Sequence, residues 1–449
     1  MADGRRDGDC LTQQVDLILK GGPLLTFDEE GSLFTHGIVC VRDGMIAASG
    51  DDFEIGHEYE AQRIIDVQGD LIMPGLINGH THAAMSVLRG FADDLPLDRW
   101  LSDHIFPAEG KLMGEQMVYW GSLVSAAEML RAGITTCADA YFFEHAAARA
   151  FAAAGIRAIC AQGVVDGPNP QWPDQRERDR VLREFLEKHK KGPTGLVTPA
   201  LFVHAPYSAT PESYRATREL CDEFAVPFFT HLAESEREVK EVSRRYGLTP
   251  VRLLAREGIL SDAFVGVHSV WVDPEEIEIL AQYGASVVHC PGSNAKLGNG
   301  LAPVQAFLNA GVPVGLGTDG PASNNRQDLF YEMDFCAKGH KLVTRDPVHM
   351  DAKTVLKMAL HLGAESLGLE GMIGSIGSGM AADIIVLDLS GPHASPLFSY
   401  ESHLVYSARG LDVKTTIVGG RVVHDSGKIL TFDEAEALAK VLEIIKRLK

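Results

Sequence analysis

Between residues 75 and 325 one pattern recurs along the chain. A short apolar run ends in small or polar residues, a helix-forming stretch follows, and a glycine precedes the next run. Eight such runs can be read: GLINGHTH (75–82), ITTCADAYF (134–142), RAICAQGVV (157–165), VTPALFVHAPY (197–207), PFFTHLAES (227–235), FVGVHSVW (264–271), SVVHCPGSN (286–294) and VPVGLGTDG (312–320). Thr210-Pro211, Thr249-Pro250 and Asp273-Pro274 each place a side-chain cap before a proline at the first helical position. Gly258, Gly284 and Gly311 stand where a helix needs a left-handed end. Strands alternating with helices point to parallel βα units, and eight of them over this length predict a closed, distorted (β/α)8 barrel of the TIM type. A doubly wound open sheet is the competitor. It would gather its polar residues at one switch point, whereas here nearly every strand ends in them.

The flanks differ from this body. Residues 15–70 and 371–432 are rich in strands and turns, and neither has much core alone. Together they predict one small β-sandwich built from both chain ends, beside a barrel spanning 71–370. Residues 433–449 read as an amphipathic helix with Leu438, Val441, Leu442, Ile445 and Leu448 on its apolar side. Residues 1–14 read as a disordered N-terminus. A net charge of −20 repels a phosphate backbone, which argues against nucleic acid but not against a free nucleoside. Seven scattered cysteines without Cys-x-x-Cys spacing read as reduced thiols. With no apolar stretch of signal or membrane-spanning type, a cytoplasmic protein is expected, without a membrane partner.

The chemistry starts at His80 and His82. Side chains at i and i+2 of a strand share a face, roughly 6–7 Å apart, so two imidazoles there can converge on one metal ion. A pair of buried, hydrogen-bonded histidines is the plainer alternative. Other strand ends shift the balance: His231 and Asp319 close two of them, and His204 and His268 close two more. Three histidines and a carboxylate suit one divalent ion, Zn²⁺ first and Fe²⁺ second. Glu234, three residues after His231, is either a helix-start carboxylate or a proton carrier beside the metal. The surrounding constellation favours the carrier.

PGLINGHTH, HLAES, LGTDG and SIGSGMAADIIVLD resemble the amidohydrolase superfamily over nearly the whole chain. HAAMSVLRGFADDLPLDRWLSDHIFPAE, VHAPYS, SNAKLGNGLAPV and TDGPASNN narrow the resemblance to the methylthioadenosine/S-adenosylhomocysteine deaminases, which share this body with triazine hydrolases and guanine deaminases. The resemblance implies one metal ion and hydrolytic release of ammonia from C6 of a 5′-modified adenosine. Carried over by position, His80, His82, His231 and Asp319 hold the metal, and Asp319 also takes the proton of the attacking water. Glu234 protonates the purine ring and helps ammonia leave, while His268 orients the hydroxide. Glu109 holds the ribose hydroxyls; His204 and Ser323 contact the purine.

The fourth strand ends without the lysine that bridges two metals in other superfamily members, so a single ion is expected. The Cys-x-x-Cys of the unrelated zinc deaminases is missing as well. Gln162 stands where members acting on S-adenosylhomocysteine commonly carry an arginine, which predicts a preference for an uncharged 5′ substituent. Arg176, Arg178 and Arg180 follow in a stretch that reads as a solvated helix face. GSNAKLGNG (292–300) reads as a shaped loop above the barrel, and His289 as a packed strand residue. The implied partners are a small-molecule nucleoside and further copies of the chain. The competing readings are hydrolysis at another ring (guanine, oxoguanine or a triazine) and a catalytically dead scaffold. Retention of all four ligands and Glu234 speaks against the scaffold.

Overall fold

The structure, a computed structural model, describes residues 12–28, 31–167, 169, 171–172, 174–190 and 195–448, without the side chains of Gln175 and Arg176. The N-terminal part forms β1 (Gln13–Leu25), β2 (Leu33–Arg42), β3 (Met45–Asp51), β4 (Tyr59–Asp66) and β5 (Leu71–Pro74). The central part supplies β6 (Leu76–Thr81), β7 (Ile134–Tyr141), β8 (Arg157–Val164), β9 (Val197–Val203), β10 (Phe228–Leu232), β11 (Phe264–His268), β12 (Ser286–His289) and β13 (Val314–Leu316). β14 (Ile384–Leu387), β15 (Val413–Val418), β16 (Arg421–Asp425) and β17 (Lys428–Ile429) follow.

Strands β6 to β13 lie side by side in chain order, all parallel, and each falls inside one of the eight runs read from the sequence. The seam between the first and the last is closed largely by a side chain. Asn78 Oδ1 accepts from Thr318 N at 2.9 Å, its Nδ2 donates to Thr318 Oγ1 at 2.8 Å, and Asp319 N donates to His80 O at 3.0 Å. A buried amide is costly unless its bonds are made, and here they are. Close approach at this seam needs glycine: a Cβ on Gly317 would lie 2.9 Å from Val288 Cγ1 and 3.0 Å from His80 N. Alternate residues of each strand fill the barrel, among them Ile77, Ala138, Ile159, Phe202, Val265 and Val288.

The two chain ends share one nine-stranded sheet, joined where β14 runs antiparallel to β5 with Ile385 opposite Met73. Leu19, Val39, Ile72, Ile384 and Ile417 form its common core, which explains why neither end has a core by itself. A buried Arg157–Asp383 pair, bonded at 2.8 and 3.0 Å, ties this sheet to β8 of the barrel. β1 begins at Gln13, two residues inside the stretch expected to be disordered; residues 1–11 lie outside the described residues.

The C-terminal helix, Glu434–Ile444, is capped by Asp433 and packs on the helix Glu115–Arg131. Its apolar face needs correction. Val441, Ile445 and Leu448 pack inward, but Leu438 and Leu442 remain 50 % and 59 % exposed while Ala437 and Ile444 are buried. Contact through a small alanine brings the two helices close and buries a narrower stripe than the leucine spacing suggests. Among the described residues no helix is long and apolar enough to cross a membrane.

Candidate active site

His80 ends β6 and is wholly buried, with His82 just beyond it. His231 on β10 brings its Nε2 to 3.3 Å from His80 Nε2. Asp319 Oδ1 lies 3.6 Å from His80 Nε2 and 3.4 Å from His82 Nε2. His268, at the end of β11, joins His80 and His231 with ligand atoms all within 4.8 Å of one another. The chain bends sharply at these strand ends: Ala233, His268 and Asp319 adopt positive φ of 47°, 70° and 59°. Residues with a Cβ avoid that region, and such strain gathers at functional sites.

The donor set fits a divalent cation. Burial holds His80 down to about 3 and His231 well below the usual imidazole range, so both rings are neutral with a lone pair to give. His82 Nδ1 is bonded to the carbonyl of Ala140, which can only accept; the proton therefore sits on Nδ1 and Nε2 offers its lone pair toward Asp319. Burial pushes the Asp319 carboxyl up, but the surrounding imidazoles of His80, His82 and His268 outweigh it and hold the carboxyl well below its ordinary range. The result is a group of acceptors facing one another, which a cation reconciles.

A layer of partners fixes these groups. Ser293 and Ser323 hydroxyls donate to Asp319 Oδ2 at 2.5 and 2.8 Å. Asn294 Oδ1 lies 2.9 Å from His268 Nδ1, and Asn299 Nδ2 donates to Glu234 Oε1 at 2.9 Å. The Glu238 carboxylate accepts from the backbone of Ala233 and Glu234 at 3.0 and 2.9 Å and so holds the turn after β10. Three of these side chains, Ser293, Asn294 and Asn299, come from the segment read as a shaped loop, and that reading needs correction: Pro291–Lys296 is helical, so Ser293 and Asn294 stand on a helix and Asn299 just past it. Their signal was present in the sequence as three polar residues threaded through glycines just past a strand end.

Glu234 is buried, and its Oε2 lies 3.8 Å from His268 Nε2. Burial raises its pKa, against the opposing pull of the His268 charge. Glu109, on the helix Phe106–Leu112, is also buried and accepts from the Tyr141 hydroxyl; burial pushes its carboxyl up to about 7. It is no solvated loop carboxylate. His204, whose Nδ1 lies 2.7 Å from Ser208 Oγ, and Ser323 join these groups on the wall of one cavity of about 810 Å³, a size typical of small-molecule sites. The inner end of that cavity is polar, while Leu97, Trp100, Phe106 and Val165 line the outer part.

Gln162 is a correction. Along β8, Ile159 and Ala161 face the barrel interior, so Cys160 and Gln162 face outward. Gln162 is 1 % exposed, accepts from Glu144 N at 3.1 Å and donates to Gln171 Oε1 at 2.8 Å. It forms no part of the cavity wall. Arg178 bonds Ser213 Oγ at 3.0 Å and Arg180 pairs with Glu184 at 2.6 Å on an exposed face; the Arg176 side chain lies outside the described residues. Among the described residues, the Lys or Arg on the cavity wall is instead Arg245, which ends the helix Glu236–Tyr246.

A parallel barrel with imidazoles and a carboxylate converging at the C-terminal ends of its strands defines a class of metal-dependent hydrolases. A model described as the amidohydrolase family matches residues 71–423, and the chain belongs to that family. A 5-methylthioadenosine/S-adenosylhomocysteine deaminase of Syntrophobacter fumaroxidans is 44 % identical, covering 98 % of this chain and 99 % of its own. A 5′-deoxyadenosine deaminase of Methanosarcina mazei is 38 % identical over 97 % and 98 %. The crystal structure of an adenosine deaminase from Xanthomonas campestris with bound zinc matches with a TM-score of 0.94 at 33 % identity, covering 97 % of this chain and 99 % of that one.

Proposed function

We propose that this chain is a metal-dependent aminohydrolase that removes the C6 amino group of 5′-modified adenosines, 5′-methylthioadenosine or S-adenosylhomocysteine, yielding the inosine derivative and ammonia. The observation that carries the reading is Glu234: a buried carboxyl of raised pKa beside His268 and the ligand cluster, at the closed end of a nucleoside-sized cavity. The deaminase names of full-length relatives at 38–44 % identity support the same chemistry.

A divalent cation held by His80, His82, His231 and Asp319 would supply, when bound, a water acidic enough to ionise near pKa roughly 7. Asp319 takes the proton of the attacking water while Ser293 and Ser323 anchor its other oxygen. His268 is held at Nδ1 by Asn294, which leaves Nε2 to orient that water at the purine face. Asn299 occupies Glu234 Oε1, so Oε2 is the atom that protonates the ring nitrogen, takes up the proton of the added hydroxyl and passes it to the departing amine, and the proton held by Asp319 then recharges Glu234. His204 and Ser323 contact the ring, and Glu109 binds the ribose hydroxyls beside Tyr141.

Zinc is the ion that three imidazoles and a carboxylate favour, with Fe²⁺ next. The six cysteines among the described residues are free and buried, which accords with a reducing cytoplasm. The exposed Leu342, Val343 and Val348 offer apolar surface for self-association.

The experiment is a comparison of ammonia release and ultraviolet change with methylthioadenosine, S-adenosylhomocysteine, adenosine, guanine and a triazine. The 5′-substituted adenosines should give the highest kcat/KM, above guanine and the triazine by roughly a hundredfold. Turnover of guanine or the triazine above the adenosines, or of none, would overturn the reading.

A further inference from the structure

β12 carries a second set of ligating side chains on its outer face. Val288 and Cys290 belong to the barrel interior, so His289 between them points outward, toward the helix Leu329–Thr344. On that helix Cys336 and His340 are one turn apart and share a face. The three meet, with ligand atoms all within 4.8 Å of one another. His289 Nε2 and His340 Nε2 are 3.4 Å apart, against 3.3 Å for His231 and His80 in the catalytic cluster. All three are buried, at 0 %, 0 % and 5 % exposure for His289, Cys336 and His340. The reaction uses none of them.

We propose that His289, Cys336 and His340 form a second, structural cation site that takes a zinc-like divalent ion. Tetrahedral zinc with Zn–N bonds of about 2.0–2.1 Å sets neighbouring nitrogens about 3.3–3.4 Å apart, the separation seen here. Thiolate together with imidazole selects zinc over magnesium or calcium. Burial holds His289 well below the ordinary imidazole range and His340 down to about 4, so both rings keep a lone pair free for a metal. Burial pushes the Cys336 thiol up, so without a cation it stays protonated. Binding therefore exchanges one proton for one divalent ion: the S–H bond breaks, a sulfur–metal bond forms, and the proton leaves to solvent. One positive charge remains, and Glu332, a turn earlier on the helix, can offset it once the cation draws off the proton that burial otherwise keeps on that carboxyl.

The fourth ligand position is open to water or to His349. That residue is partly buried, and its ring centre is 6.0 Å from that of His340. Lys341 pins the segment by donating to the carbonyls of His349 and Met350 at 2.9 and 2.6 Å. An ion here would clamp the helix to the barrel wall on the side opposite the catalytic cluster.

The test is metal content together with cobalt spectroscopy on the full chain. Protein expressed in zinc-rich medium and desalted should hold about two ions per chain, falling to about one in Cys336→Ser, with deamination retained. His80→Ala should also keep about one ion, but lose deamination. Grown in cobalt, the wild type and His80→Ala should both show a near-ultraviolet sulfur-to-cobalt charge-transfer band, because the proposed catalytic ligands contain no sulfur. The Cys336→Ser protein should lack that band, which distinguishes this thiol from Cys290 inside the barrel. One ion per chain and no band in the wild type would overturn the proposal, as would a band that survives in Cys336→Ser. If Cys336→Ser does not fold, the band in the wild type and in His80→Ala decides.

Discussion

At the inner end of the cavity His80, His231, His268 and Asp319 stand on or just past barrel strand ends, and serines and asparagines from the segments after β12 and β13 hold His268, Glu234 and Asp319. At the outer end Phe106 and Arg245 stand on helices, both exposed, and Arg245 has an aromatic neighbour in Tyr246, 5.0 Å from its ring centre. The inner groups are held by hydrogen bonds; the outer two are exposed to solvent. Changes at the inner end should therefore alter turnover for every substrate alike. Changes at the outer end should alter the ratio between substrates that differ in their 5′ tails.

The sharpest test of the inner end is His80→Ala. Removing one imidazole from the cluster should cost the catalytic ion and reduce deamination to background, a loss larger than the roughly 10–100-fold typical of removing an outer partner. Metal analysis and turnover should fall together. An active protein lacking only this side chain would mean that His80 is a packed core histidine. Glu234→Gln comes next. It should keep metal and substrate binding but lower kcat by roughly 10²–10⁴-fold for all adenosines. Near-normal turnover would remove Glu234 from proton transfer, and a loss confined to KM would make it a positioning residue.

The outer end predicts a smaller and selective effect. Arg245→Met should lower kcat/KM for S-adenosylhomocysteine by roughly tenfold relative to methylthioadenosine, since Arg245 is the cavity-wall cation among the described residues, hydrogen bonds to a charged tail contribute about 1.5–3 kcal/mol, and exposure weakens them. Equal losses for both substrates would show that the two ends are not separable in this way.

Stability gives a further contrast, because burial shifts acids and imidazoles in opposite senses. Glu109 and Asp139 are pushed up to about 7, and Glu238 and Glu332 to about 8. The folded chain keeps these protons where the unfolded chain has lost them, so stability falls as pH rises from about 4 to 8. His189, His340 and His424 are held down to about 4 by burial. The unfolded chain takes up those protons below 6.5, so this contribution is lost as pH falls toward 4. Above 6.5 only the carboxyls act. Four such carboxyls outweigh three imidazoles, so the Tm of chelator-treated protein should fall as pH rises from about 5 and lie a few degrees lower by about pH 8.5. A Tm that rises above pH 7 would mean that these carboxyls are ionised in the fold.

What the sequence made legible follows the same division. The eight barrel strands could be read because a buried parallel strand is a continuous apolar run with a capped helix after it. That His80, His82, His231 and Asp319 come together could be read because strand-end position and residue type coincide. Ser293, Asn294 and Asn299 were visible only as polar residues among glycines past a strand end; which groups they hold depends on how the short helix Pro291–Lys296 and the turn after it fold back, which no local period encodes. The exposed Leu438 and Leu442 show the same limit: helical spacing names a face, but the neighbouring helix decides how much of it is covered.

Gln162 tests that limit most directly, and by the smallest expected change. In sequence it occupies a position read as specificity-determining, yet the two-residue period of β8 turns it away from the cavity, because Ile159 and Ala161 already face inward. Its amide instead holds Glu144 N and Gln171, both behind the barrel wall. Gln162→Met should leave the ratio of the two substrate efficiencies unchanged within about twofold, while destabilising the protein by about 1–3 kcal/mol through the buried amide left unpaired. Gln162→Arg should be worse, since it would force a longer, charged side chain into a site that is 1 % exposed. A folded Gln162→Arg protein with selectively improved S-adenosylhomocysteine turnover would return this side chain to the cavity. The boundary between the two ends would then have to be drawn through β8 itself.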